Sequence, residues 1–162
     1  MKKSGLIKNK SLKNILSALA VAIFGFILLN LTFLFDALFQ GLMGRFIGIF
    51  IPFNPDTKLY WFPILMHGSF VVIIGIISWF VFKSKLKEIY KAIYMTVPLA
   101  VVFVTIGIFL FQWPIAVYLL GTLFGIGALY YFYRTKQHWI YYYTLILVGL
   151  TLAIFTLLGG EI

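Results

Sequence analysis

Cysteine is absent from this 162-residue chain, acidic residues number four, histidines two, and charged residues of both signs together make up 10%. Without cysteine there are no disulfides, no thiolate metal ligands, no cysteine nucleophile and no cysteine to lipidate. A soluble domain carries roughly a quarter charged residues, so a chain with 10% belongs to another class. Four carboxylates leave Asp36 with Asp56 as the acid/base pair to weigh, and both read as solvated and therefore poorly tuned. His67 and His138 fall near opposite membrane faces in the topology derived below. They therefore form neither a metal-ligand cluster nor a shared bis-histidine haem site, and no metal or cofactor is expected. No glycine-rich phosphate loop precedes a helix, which argues against nucleotide-driven transport by this chain alone.

What the chain has is hydrophobicity: 63% of its residues are hydrophobic and 20% are aromatic. A helix needs about 20 apolar residues to cross a hydrocarbon core of roughly 30 Å. Such runs occur at 15–35, 59–82, 92–111, 115–133 and 139–158. They are continuous and too long for the short alternating strands of a membrane β-barrel. The expectation is an all-α integral membrane protein of five transmembrane helices forming a single polytopic domain over 1–162. The first run follows a basic stretch, as a secretory signal does. Its core is too long for one and it ends at Leu34-Phe35-Asp36 without a small-residue cleavage site, so it reads as a signal anchor.

Basic residues in short loops stay on the cytoplasmic side during insertion. Five lysines lie in the basic segment 1–14, four lie between the second and third runs (Lys83, Lys85, Lys87, Lys91), and Arg134 and Lys136 follow the fourth. These are eleven of the 13 basic residues, and only Arg45 and Lys58 fall on the other side. The amino terminus is expected inside and the carboxyl terminus outside. The net charge of +9 is then a topology signal that also touches anionic headgroups, and nucleic acid is not expected as a partner. Trp61 and Trp113 would mark the outer interface, and Trp139 with Tyr141, Tyr142 and Tyr143 the inner one. The interfacial belt explains that tyrosine run without invoking a stacking platform.

Shifting the chain by 51 residues lays the second and third runs on the fourth and fifth. Pro63 then falls on Pro114, Lys83-Ser84-Lys85 on Arg134-Thr135-Lys136, and Ile89-Tyr90 on Ile140-Tyr141. This permits a tandem repeat of two helical hairpins running in the same direction, as in parallel-repeat transporter halves. Shared lipid-facing composition and the preference for proline at a helix start would produce part of the same pattern.

The segment 37–58 is apolar but too short to span, and prolines bound it. It reads as an extracytoplasmic loop that is re-entrant or interfacial. Its Gly44 and Gly48 have the four-residue spacing that lets helices approach closely. A charge inside hydrocarbon costs several kcal/mol unless it is paired or faces a cavity, so polar residues within the runs are the candidates for function. Asn30, Thr32, Asp36 and Gln40 lie near the outer end of the first helix, and the last three share a face. His67, roughly 10 Å below the outer belt, is the one titratable residue well inside a run.

These residues permit an outer-leaflet site in which His67 exchanges a proton, Asp36 orients it and Arg45 holds an anionic group. Asp36 and Arg45 are nine residues apart, on opposite faces of an unbroken helix, so the site needs a break at Gly41 or Gly44. The competing reading places Asp36 and Arg45 among headgroups and lets His67 bond a neighbouring helix. Three functions follow in order of preference. The first is a non-enzymatic accessory, immunity or envelope-related factor acting through helix packing. The second is a small transporter or channel subunit, and the third a lipid-modifying enzyme built on His67, Asp36 and Arg45. The expected partners are the lipid bilayer and a membrane protein or a second copy. Lysine-, phenylalanine- and isoleucine-rich usage suits a bacterial or archaeal cytoplasmic membrane.

Overall fold

A computed structural model of the chain describes residues 3–50 and 61–157, with side chains described over 10–49 and 65–156. These residues form five helices: α1 (Lys3–Phe50), α2 (Trp61–Lys83), α3 (Glu88–Phe109), α4 (Pro114–Arg134) and α5 (Trp139–Leu157). All five are long and apolar enough to cross a membrane. Hydrocarbon offers the backbone no hydrogen-bond partner, so an apolar run of this length must satisfy its own N–H and C=O groups, and the helix does that within one segment.

The helix ends follow local chemistry. α4 opens with Pro114 at its first turn, where a missing N–H costs nothing. It closes on Arg134, a cation beside the negative end of the helix dipole. Its last turn is tied off by Gln137 N–H to the Phe132 carbonyl at 2.9 Å and Lys136 N–H to the Tyr133 carbonyl at 3.2 Å. That bond pair puts Lys136 at φ 51°, the left-handed position where glycine is usual. α3 carries Glu88 in its first turn, at the positive end of its dipole.

α1 departs from expectation. It does not stop near Phe35 but continues to Phe50, so residues 37–50 of the expected loop are helical and continuous with the first span. Gly41 and Gly44 each weaken a helix by about 1 kcal/mol without ending it. In the sequence the next strong helix breaker is Pro52, whose ring disfavours the helical conformation of the residue before it. Residues 51–60 lie outside the described residues, so the rest of the expected loop does too.

α3 is the centre of the bundle. Nine of its 22 residues are buried, against Phe132 alone in α4. α1 runs parallel to α3, with Gly25 against Thr96 at one level and Asp36 near Thr105 through His67 at the next. α5 is also parallel to α3, with Tyr141 bonded to Glu88 and Thr144 to the Ala92 carbonyl. α2 is antiparallel to α3, because His67 meets Thr105 and Ser78 meets Tyr94.

In a bilayer, lipid tails are as apolar as leucine, so burying leucine between such helices would gain little, and close packing and interhelical hydrogen bonds would hold the bundle. Gly25 shows the first: a Cβ there would lie 2.6 Å from Thr96 Cγ2. Thr96 is itself fixed by a 2.8 Å bond to the Ile93 carbonyl and a longer 3.4 Å contact to the Gly25 carbonyl. Ser78 shows the second: its hydroxyl hydrogen goes to the Ile74 carbonyl at 2.7 Å, so the Tyr94 hydroxyl donates to it across the α2/α3 interface.

Candidate functional site

Three helices converge on His67. The residue lies on α2 and is 5% exposed. Asp36 comes from α1, Thr105 from α3, and the ring of Phe109 stands edge-on to the imidazole with centroids 6.2 Å apart. Asp36 faces inward because Thr32, Asp36 and Gln40 share the side of α1 that meets the bundle. Thr32 is buried and the other two half-buried.

The hydrogen bonds fix the imidazole. Thr105 gives its one hydroxyl hydrogen to the Val101 carbonyl. The 3.0 Å contact between His67 Nε2 and Thr105 Oγ1 is therefore an Nε2–H donating to the hydroxyl oxygen. With that hydrogen placed, a neutral His67 would turn the lone pair of Nδ1 toward Asp36 Oδ2, 3.6 Å away. A lone pair facing a carboxylate is repulsive, so this contact is the least settled one around the ring. The separation is that of an ion pair and exceeds a hydrogen bond. Asp36 Oδ1 and His67 Nδ1 are both buried without a hydrogen-bond partner. The arrangement joins α1, α2 and α3 through one buried polar cluster.

The third expected member is elsewhere. Arg45 is exposed and forms no ion pair or hydrogen bond among the described residues. α1 runs unbroken through Gly41 and Gly44, so Arg45 stays about 13 Å further along and on the opposite face from Asp36. The break that a three-residue site requires does not occur. Two grooves, of about 220 and 250 Å³, lie between α1, α3 and α5 and between α3, α4 and α5. Neither is lined by His67, Asp36 or Thr105.

No family model matches the chain, and neither a curated protein nor a solved structure does. The site is therefore read from its own chemistry.

Among the described residues no three His, Asp or Glu side chains gather as metal ligands would. His138 lies at the far end of the bundle, where its Nδ1 accepts the Ile140 N–H at 3.4 Å at the start of α5. At that end the Tyr141 hydroxyl donates to the Glu88 carboxylate, and Lys91 Nζ donates to the Phe82 carbonyl at 3.0 Å. Those contacts fasten α5 and the end of α2 to α3.

Sequence reasoning singled out His67 and Asp36 but missed Thr105 and Thr96. A threonine in an apolar helix bonds the carbonyl one turn back whether or not it also meets a neighbour, so its type and position carry no signal of its partner. The one available hint was spacing: two antiparallel helices in contact keep a constant sum of residue numbers, and Ser78 with Tyr94 shares that sum with His67 and Thr105.

Proposed function

We propose that this protein acts without catalysis, as an accessory, immunity or envelope-related component of a bacterial or archaeal cytoplasmic membrane that works through the packing of its helices. The observation that carries this reading is the closure of the His67–Asp36 pair, the one His–carboxylate contact among the described residues. His67 and Asp36 are enclosed by α1, α2 and α3, away from both grooves and from Arg45. An enzyme acting on lipid needs its base open to substrate, and a transporter needs a polar path leading to its relay. α4, by contrast, has Phe132 as its one buried residue and 14 of its 21 residues exposed, which suits a helix that meets lipid or another protein.

In this proposal the amino terminus is cytoplasmic and the carboxyl terminus external, supported by the placement of the basic residues. A duplication of the hairpin α2–α3 as α4–α5 is supported by the helix ends. α2 and α4 end at Lys83 and Arg134, and α3 and α5 begin at Glu88 and Trp139, both 51 residues apart.

The test replaces chemistry while keeping volume. In a strain lacking the chromosomal copy, a variant with Asp36→Leu and His67→Phe together should restore the wild-type phenotype at wild-type membrane abundance. Loss of function at full abundance, or a change in membrane lipid composition that tracks His67, would replace this reading with a proton-transfer or enzymatic one.

A further inference from the structure

α1 carries two seams. One faces inward through Val21, Gly25, Leu28 and Thr32, and packs on α2 and α3. The other is exposed through Leu16, Leu19, Ile23, Asn30 and Phe33, with Phe26 at its edge, where it also lines the groove toward α5. Their spacing alternates three and four residues, the 3.5-residue repeat that lets two helices wind around each other with side chains interlocking. Exposed apolar residues also flank this row at Phe24, Ile27, Leu31 and Leu34, so its polar member decides the face.

Asn30 is the polar member of this second seam. It lies near mid-height of the bundle: Gly25, five residues before it, is level with Thr96, and Asp36, six residues after it, is level with Thr105. One of its amide hydrogens returns to the Phe26 carbonyl at 2.8 Å. Nothing among the described residues meets its Oδ1 or its other N–H. An exposed carboxamide at that depth is costly in hydrocarbon, and a carboxamide is both donor and acceptor, so it is satisfied by another of its own kind. Two copies inserted in the same direction bring Asn30 to the same depth automatically. In parallel two-stranded coils a single asparagine in the apolar seam fixes register and strand number.

We propose that the protein forms a parallel homodimer through the outward seam of α1, with Asn30 of one copy hydrogen-bonded to Asn30 of the other at mid-membrane. The proposal rests on membrane insertion and not on the accessory role argued above. It names a second copy as the occupant because equal depth and a self-complementary, half-satisfied side chain coincide on one exposed face.

The chain has no cysteine, so single-cysteine variants report one position each. Oxidative cross-linking in native membranes of Leu19→Cys, Ile23→Cys and Phe26→Cys should give homodimers, since a disulfide forms only between Cα atoms roughly 4–7 Å apart. Phe24→Cys and Leu31→Cys, equally exposed but about 100–120° round the helix from Asn30, should stay monomeric. Adding Asn30→Leu to Phe26→Cys should weaken self-association about threefold to tenfold, and Asn30→Gln should preserve it. Cross-linking at all five positions alike, at none, or chiefly to a different membrane protein would overturn the proposal. The three seam variants keep Asn30, so they decide the matter even where Asn30→Leu fails to accumulate. Alkaline extraction run in parallel separates the two premises: protein retained in the membrane but never cross-linked rejects the dimer alone, whereas protein released into the supernatant rejects membrane insertion.

Discussion

His67 and Asp36 are each costly alone and tolerable together. Removing one partner of a buried pair strands the other, whereas replacing both with apolar groups of similar size is often harmless. His67→Ala or Asp36→Ala should each lower the stability of the detergent-purified protein by roughly 3 kcal/mol. The joint Asp36→Leu and His67→Phe replacement should recover most of that loss in a thermal unfolding series; additive losses would show that the two residues do not act as a pair. Gly25 offers a second coupled pair, because the obstacle to a side chain there is a single methyl, Thr96 Cγ2, at 2.6 Å. Gly25→Ala should cost about 1–3 kcal/mol through overpacking. Adding Thr96→Ser, which deletes that methyl and keeps the hydroxyl, should return part of the cost in the same measurement.

At the scale of elements, strong terminators were legible in the sequence and weak ones were not. Pro114 marks the start of α4 and the charged stretch from Lys83 to Lys87 separates α2 from α3, and the helix ends fall at both. Asp36 looked like the edge of a span because a carboxylate is expected among headgroups, yet a lone charge does not end a helix when a partner across the interface accepts it. His67 is that partner, and it is 31 residues away in sequence, so no local pattern could reveal it. The pairing of Tyr141 with Glu88 was hidden for the same reason: the aromatic-belt reading of Tyr141 concerns depth and is silent about contact. The turn after α4 gives a prediction at this scale. Lys136 sits at φ 51°, where a β-branched side chain is strained and glycine is not. Lys136→Ile should therefore be less stable than Lys136→Gly by about 1–2 kcal/mol in thermal unfolding.

For the whole molecule, the proposed orientation separates the three short connections. Applied to intact cells, a membrane-impermeant maleimide should label Gln112→Cys, between α3 and α4. It should leave Lys85→Cys and Gln137→Cys untouched until the cells are permeabilised. The opposite pattern would invert the topology. The length of α1 bears on mechanics. Its 48 residues make a rod of about 72 Å, and a tilt that kept all of it within roughly 30 Å of hydrocarbon would far exceed the ~40° limit of ordinary spans. Past Asp36, its contact with His67, the rod continues through Phe50, a further reach of about 21 Å. Part of that stretch stays on the bundle, since the ring of Phe39 packs on Phe70 of α2 with centroids 6.1 Å apart. In a bilayer, a stiff segment longer than the hydrocarbon is thick must place at least one of its ends among headgroups or water.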